Sequence, residues 1–276
     1  MFAIVNGKEI PEYYGKPYVE INKEPFSDKN KKIEKFEVKK DKIGGLKKGS
    51  EEKPIHTVYA CLNREHISSK RNRGNKNKDM PDFFYKTYNC LKWKNLYNNC
   101  HLIAYQLSGD NSDENLIIGT RYMNEIGMSQ FENKVKVYMK ETGHHVLYRV
   151  TPVFNENEQL IKGVQMEAYS LEDEGVGICF NVFVYNVQPG IDINYKDGNS
   201  KEDKEWLKNL FPNKIYTDEK ETYILNMAAH KFHKKNRNGL ICNEAKNIGK
   251  DNKKEIECPR QFLIDNGFKP CNNCNP

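Results

Sequence analysis

Four side chains suited to phosphate-ester hydrolysis occur within one short stretch of the sequence. They are an imidazole, two carboxamides and a carboxylate, at His101, Asn115, Asn124 and Glu132. Hydrolysis needs a base for the attacking water, and a neutral imidazole with an ordinary pKa of about 6.5 suits that task. Because Mg²⁺ takes oxygen ligands and keeps several waters, a single carboxamide oxygen can hold it. The stretch therefore predicts His101 as general base and Asn124 as the ligand of a hydrated Mg²⁺.

Local patterns predict how these side chains are positioned. His101 begins an apolar run that is typical of a short strand. Asn124 lies just before a segment whose apolar residues recur at helical spacing, which predicts a helix from about residue 128 to residue 140. These apolar residues are Met128, Phe131, Val135 and Tyr138. A strand that presents an imidazole and a helix that presents a carboxamide can face each other across a small cleft.

Five motifs between residues 97 and 198 extend this pattern: CHLIAYQLSGDN, ENLIIGTRYMN, FENKV, HHVLYRVTPVF and FNVFVYNVQPG. In this order they resemble the DNA/RNA non-specific endonucleases of the ββα-metal (His-Me finger) class. The resemblance implies a phosphodiester hydrolase that cuts DNA and RNA without sequence preference, with Mg²⁺ as its ion and Mn²⁺ as a substitute. It also implies that Asn115 lines the metal site and that Glu132 holds metal-bound water, a role that Glu125 could fill instead.

The chain departs from the family's Asp-Arg-Gly-His signature, because it reads Asn-Asn-Cys-His at residues 98–101. Asn99 stands where the family has arginine and cannot supply a cation to phosphate. Arg121, Arg149, or Arg71 and Arg73 of a basic loop at residues 69–80 could replace that contact with nucleic acid. Arg149 is read as pointing to solvent and is left out of the set. The loss of the arginine leaves an alternative open, a catalytically impaired nuclease-like protein that binds DNA.

A second group of residues near the end of the sequence predicts a structural zinc site. Its members are His233, Cys242, Cys271 and Cys274. Thiolate and imidazole are the ligands that Zn²⁺ takes in closed tetrahedral sites. A segment of fifty-odd residues buries little apolar surface by itself, so a metal would supply stability that its core lacks.

This second segment resembles the small Ada-like zinc modules that follow nuclease domains of similar type. In those modules the first cysteine follows the histidine more closely than it does here, so His230 or Cys258 could replace one of the four ligands. The other reading of Cys271 and Cys274 is that they are free or disulfide-linked thiols. A disulfide that involves Cys61 or Cys90 also stays open.

The composition limits the cell location and the partners. The net charge is +6, and lysines and arginines cluster upstream of the motifs, where phosphate backbones would be attracted. No apolar run approaches the roughly 20 residues of a membrane span, and the first residues lack the pattern of an export signal. We therefore expect a cytoplasmic protein, or a secreted one as the alternative, in which case a protein inhibitor would be a further partner. The oligomeric state is not predicted.

The arrangement of predicted strands and helices indicates an α+β fold. Strands are expected at residues 56–62, 145–154, 163–169 and 177–185, with the helix packed on a mixed antiparallel sheet. In the last of these strands, alternation places Ile178, Phe180, Val182 and Val184 on one face. Residues 1 to about 54 are read as an initial strand or two followed by a loop, which the Gly44-Gly45 pair and Pro54 interrupt. The predicted domains are a nuclease domain at 1–200, in which residues 1–55 are divergent, a linker at 201–220 with a short helix, and the zinc module at 221–276.

Overall fold

The computed structural model describes most of the chain. The described residues are 3–5, 7–27, 39–48, 51–68, 80–88, 95–155, 157–203, 219–226, 229, 231–234, 241–249, 253–265 and 268–276, with only the backbone described at 44–48 and 51–53. The basic loop with Arg71 and Arg73, the predicted helix of the linker, Cys90 and His230 lie outside them.

A six-stranded antiparallel sheet forms the centre of the fold. Its spatial order is β3-β10-β9-β8-β5-β4. The strands are β3 (Tyr18–Asn22), β4 (Lys39–Lys48), β5 (Glu51–Leu62), β8 (Val146–Val153), β9 (Gly163–Ser170) and β10 (Cys179–Tyr185). The strands from β8 to β10 follow one another along the chain and pair as neighbours, as antiparallel strands joined by short turns do.

One face of this sheet carries the main hydrophobic core. Alternate residues of the central strands turn to this face and are buried. They include Val58, Ala60 and Leu62 of β5, Val146, Tyr148 and Val150 of β8, and Phe180, Val182 and Val184 of β10. The predicted alternation in β10 is confirmed, and the intervening Phe183 and Tyr185 are buried in a second cluster on the opposite face. The sheet is therefore covered on both sides at β10.

A β-hairpin followed by a helix lies against the main core. Strands β6 (Tyr97–His101) and β7 (Leu116–Thr120) pair with each other, and between them lie the helix α1 (Tyr105–Ser108) and a 3₁₀ turn at Asp113–Asn115. The chain then forms a π-helical turn (Met123–Met128) that continues into α2 (Ser129–Thr142). α2 buries Phe131, Glu132, Val135 and Met139 and ends at Gly143, whose φ of 75° is the left-handed conformation of a helix C-terminus.

The C-terminal segment forms its own four-stranded sheet, in the order β15-β13-β14-β16. The strands are β13 (Lys220–Asn226), β14 (Lys231–Lys234), β15 (Lys253–Pro259) and β16 (Lys269–Pro270), with the helices α3 (Asn243–Lys246) and α4 (Arg260–Asp265) between them. Tyr223, Phe232 and Leu263 belong to its separate core, against which Tyr13 of the N-terminal segment also packs. Two short hairpins, β1 (Ala3–Val5) with β2 (Lys8–Ile10) and β11 (Ile191–Ile193) with β12 (Ser200–Glu202), complete the strands.

The predicted α+β class is confirmed, and two local expectations are wrong. His101 ends a strand and does not begin one, because Leu102 and Leu107 belong to a buried turn and helix that pack into the main core. Residues 39–48 form the edge strand β4 and not a loop, because nine residue pairs with β5 hold them in the sheet.

None of the helices in the described portion of the chain has the length and apolar character that a membrane crossing requires.

Candidate functional site

The loop between β6 and β7 fixes the predicted general base, His101. The imidazole is half-buried, and its Nε2 lies 3.1 Å from the side-chain oxygen Oδ1 of Asn111. Since an amide oxygen only accepts hydrogen bonds, Nε2 carries the proton in this pair. In a neutral imidazole the lone pair is then on Nδ1. The hydrogen bond thus leaves the other ring nitrogen as the atom that can accept a proton.

The segment that carries Asn111 is tied to the edge strand of the large sheet. Lys40 of β4 donates to Ser112 Oγ at 2.6 Å and forms an ion pair with Asp110 at 3.1 Å. Ser112 also donates to Asp110 through its backbone N–H and its hydroxyl. Burial alone would raise the pKa of Asp110, but these hydrogen bonds and the Lys40 charge hold it below its ordinary value. The Lys40–Asp110 ion pair therefore stabilises the loop that positions His101.

Asn115 is fully buried and shapes the same loop from the other side. Its Oδ1 accepts from the backbone N–H of Ile103 at 2.9 Å, and its Nδ2 donates to the carbonyls of Ile103 and Asp110 at 3.0 and 3.1 Å. The two donor hydrogens and the acceptor of this amide are thus engaged with the backbone. The geometry gives Asn115 a role in holding the turn after His101, which the sequence pattern did not indicate.

Asn124 lies in the π-helical turn between β7 and α2. π-turns are rare and occur often at functional sites. Met123, the preceding residue, lies against the hairpin at Gly119, where an added Cβ would come within 2.2 Å of Met123 Cε and 3.0 Å of Cys100 Sγ. The absence of a side chain at Gly119 therefore lets this turn approach the hairpin. The Asn124 side chain is half-buried.

Glu132 is the most unusual side chain of the site, since it is a carboxylate on the buried face of α2. It is only 8% exposed. Burial raises its pKa from the ordinary value of 4.5 to about 8. Its charge also contributes, after burial, to raising the pKa of Cys100, the residue before His101. Glu132 therefore lies close enough to Cys100 to interact with it electrostatically, and its α2 neighbours Phe131 and Val135 belong to the same core cluster as Cys100.

The cations proposed to replace the signature arginine have other partners where they are described. Arg121 pairs with Glu125 and donates to the Asn95 carbonyl at 3.3 Å. Arg149 does not point to solvent, as the sequence suggested: it pairs with Glu167 at 2.7 Å and its guanidinium lies 4.9 Å from the centre of the Phe26 ring. Phe26 and its neighbours cover this face of the sheet, so only 12% of the Arg149 side chain is exposed.

The four predicted zinc ligands come together in the C-terminal sheet. His233 of β14, Cys242 before α3, and Cys271 and Cys274 after β16 have ligand atoms that all lie within 4.8 Å of one another. His233 Nδ1 is 3.1 Å from Cys242 Sγ and 3.8 Å from Cys274 Sγ. Sulfur atoms bound tetrahedrally to Zn²⁺ at about 2.3 Å lie about 3.8 Å apart, so the cluster has the dimensions of such a site.

The other cysteines stay outside this cluster. Cys258 is buried in the hydrophobic core of the C-terminal sheet, so it is not needed as a fourth ligand. Among the described cysteines none is disulfide-bonded, and Cys61 is a buried free thiol.

Sequence reasoning missed Lys40, Asp110, Ser112 and Asn111. The polar run at residues 108–114 was read only as a loop, although Asx and Ser residues in such runs commonly fix turns by hydrogen bonding. A run of this kind directly after a candidate base could have indicated Asn111. Nothing in the sequence connects it with Lys40, which lies 72 residues before Ser112.

Comparison with known proteins gives a family match for part of the chain. Residues 49–171 match the DNA/RNA non-specific endonuclease family, and this range contains all four predicted site residues from His101 to Glu132. The Sda1 nuclease, solved with a bound zinc ion, is 23% identical; the match covers 68% of this chain and 97% of Sda1, with a TM-score of 0.52. NucA from Streptococcus agalactiae, solved with a magnesium ion bound, is 24% identical over 53% of this chain and 72% of NucA, with a TM-score of 0.46.

The Sda1 likeness shows a shared fold, and the family match covers the hairpin, the helix α2 and three strands of the large sheet. Residues 49–171 thus match the DNA/RNA non-specific endonuclease family over somewhat less than half of the chain, and this match identifies the chain as a nuclease.

Proposed function

We propose that this nuclease is a metal-dependent endonuclease that hydrolyses phosphodiester bonds of DNA and RNA without sequence preference. The observation that carries the proposal is the buried Glu132 carboxylate, which interacts electrostatically with Cys100, the residue before His101. No cation and no hydrogen-bond donor lowers its pKa among the described residues. A carboxylate kept in such surroundings fits a bound divalent cation, because the cation and its waters supply the missing charge and hydrogen bonds.

Each residue of the site has a defined task in this proposal. Nδ1 of His101 takes a proton from water, and the resulting hydroxide oxygen forms a bond to phosphorus as the bond to the 3′ oxygen breaks. Asn111 keeps that lone pair available by accepting the Nε2 proton. Asn124 would bind Mg²⁺ through its carboxamide oxygen, and Glu132 would accept hydrogen bonds from the ion's hydration shell. When bound, the ion supplies the positive charge that stabilises the phosphate oxygens and the leaving oxygen.

Contacts with the phosphate backbone are proposed for the basic side chains. Arg71 and Arg73 lie outside the described residues, and Arg121 would have to exchange Glu125 for a phosphate oxygen. Such exchange is feasible because the Glu125 side chain is 49% exposed, so that ion pair is screened by solvent.

The metal dependence gives the direct test of this function. Wild-type protein is stripped with chelator, reloaded with zinc alone or with zinc plus Mg²⁺, and incubated with supercoiled plasmid and with a structured RNA. We expect nicked and then linear plasmid, and degraded RNA, only where Mg²⁺ is present. Folded, zinc-loaded protein that shifts DNA in a gel but leaves it intact with Mg²⁺ would support the impaired DNA-binding protein instead.

We also propose that His233, Cys242, Cys271 and Cys274 hold a structural Zn²⁺. Burial lowers the pKa of His233, so its imidazole is neutral, as a metal ligand must be. All four positions of a tetrahedral ion are then taken by protein, which leaves none for a reacting water. The residue ranges 1–200 and 221–276 would be separate folding units joined by 201–220, and the Ada-like character of the second remains a prediction.

Cys271→Ser should release this zinc and unfold the C-terminal segment, while the nuclease domain keeps its own sheet. The reason is that a closed site contributes folding free energy to the segment that supplies its ligands. Zinc content by mass spectrometry and protease cleavage mapping give the readout. The matched control is Cys258→Ser, which changes a buried cysteine outside the cluster and should keep its zinc. Stoichiometric zinc in Cys271→Ser would refute the ligand assignment.

A further inference from the structure

Tyr148 is a polar side chain that the site described so far does not use. It lies at the centre of β8, on the sheet face that carries the main core, and is fully buried. Its neighbours across both adjacent strands are small, Ala60 on β5 and Ala168 on β9. These two alanines leave the space above the sheet to the phenol, which is thereby directed toward the elements that pack there.

The Tyr148 hydroxyl has no hydrogen-bond partner among the described residues. A buried hydroxyl without a partner is destabilising, so native proteins seldom keep one without a reason. The surrounding cluster is apolar, and a phenylalanine of nearly the same shape would fill the same place. Packing therefore accounts for the ring but not for the hydroxyl.

The Glu132 carboxylate can accept the hydrogen bond that this hydroxyl lacks. Tyr148 and Glu132 are joined through packed rings: Phe131, the neighbour of Glu132 on α2, lies 4.9 Å from Phe180, and Phe180 lies 6.5 Å from Tyr148, measured between ring centres. After burial, the charge of Glu132 is the second cause that raises the pKa of the Tyr148 phenol. A buried donor without an acceptor and a buried carboxylate thus occupy the same region between α2 and the sheet.

We propose that Tyr148 is a positioning residue whose hydroxyl donates a hydrogen bond to the Glu132 carboxylate when a divalent cation is bound. The hydrogen bond fixes the direction of the carboxylate and leaves its remaining lone pairs for the hydration shell of the ion. This inference rests on the proposed function, because Glu132 has that task only in a metal-dependent nuclease. Removal of a group that hydrogen-bonds to the ligands of a metal ion commonly weakens metal affinity by about 10-fold to 100-fold.

The test is Mn²⁺ binding by zinc-loaded, full-length Tyr148→Phe, measured by calorimetry and by the electron paramagnetic resonance signal of free Mn²⁺. We expect binding that is about 10-fold weaker than in wild type, because the carboxylate loses its orienting donor. The melting temperature of the metal-free variant should not fall, since phenylalanine removes only a hydroxyl without a partner. A merely structural role would change the melting temperature and leave the Mn²⁺ affinity unchanged.

The matched control is Tyr185→Phe, which removes a buried hydroxyl that donates to the Pro11 carbonyl at 2.9 Å on the opposite side of the sheet. It should lose stability and keep wild-type Mn²⁺ affinity. Equal affinities in wild type and Tyr148→Phe would overturn the role of Tyr148 while leaving the proposed function in place. Absence of Mn²⁺ binding in wild type itself would overturn both.

Discussion

His101→Ala is expected to reduce Mg²⁺-dependent plasmid cleavage by about 10²-fold to 10⁴-fold while leaving the affinity for DNA nearly unchanged. The range is what a positioned general base commonly contributes. Affinity should persist because contacts of basic side chains with phosphates, and not the imidazole, supply most nonspecific binding. Cleavage time courses give the first quantity, and fluorescence anisotropy with labelled DNA in chelator gives the second.

The matched control for this variant is His145→Ala. His145 is a partly exposed histidine directly before β8 that pairs with Glu172 and is not part of the β6–β7 loop. The His145→Ala variant should cleave plasmid at the wild-type rate. If His101→Ala also loses its affinity for DNA or its folded structure, His101 has a structural task and the assignment as base is wrong.

Glu132→Gln is expected to remove Mg²⁺-dependent cleavage and yet to stabilise the metal-free protein at alkaline pH. The pKa of Glu132 is about 8 in the fold and has an ordinary value of 4.5. Between these values the folded state binds more protons than the unfolded state, so stability falls as pH rises through this window. Glutamine does not titrate, so the variant keeps its free energy of unfolding as the pH rises. For a single group the loss in wild type is about 1.4 kcal/mol per pH unit within this window.

Chemical denaturation of chelated wild type and Glu132→Gln at a series of pH values measures this effect. The difference in unfolding free energy should be smallest near pH 5 and should grow in favour of the variant up to about pH 8 or 9. A difference that is constant over the series would show that the carboxyl group is solvated in solution. Activity retained by Glu132→Gln would exclude it from the metal site.

The sequence predicted those helices and strands whose apolar residues recur at a regular spacing. Met128, Phe131 and Val135 recur at helical spacing because α2 packs one face on the sheet, and all three are buried. The alternating residues of β10 were found for the same reason. The grouping of His233 with Cys242, Cys271 and Cys274 was also predictable, because few other tasks combine cysteines and histidine at such spacings.

The rest depended on contacts between distant regions of the chain. The edge strand β4 contains Gly44 and Gly45, which suggested a loop, and only its pairing with β5 makes it a strand. The hydrogen bonds of Asn115 to Ile103 and Asp110 depend on how the loop closes. Similarly, the burial of Glu132 depends on what covers α2, so its pKa could not be read from the residue type.

The close approach at Gly119 has a consequence for how this protein can vary. A side chain at this position would meet the Cε of Met123 at 2.2 Å, and Met123 immediately precedes Asn124. A side chain at residue 119 would therefore displace the Met123 side chain, which is adjacent in sequence to the proposed metal ligand, although residue 119 itself has no chemical task. The packing at residue 119 is thus coupled, through the Met123 side chain, to the turn that carries Asn124.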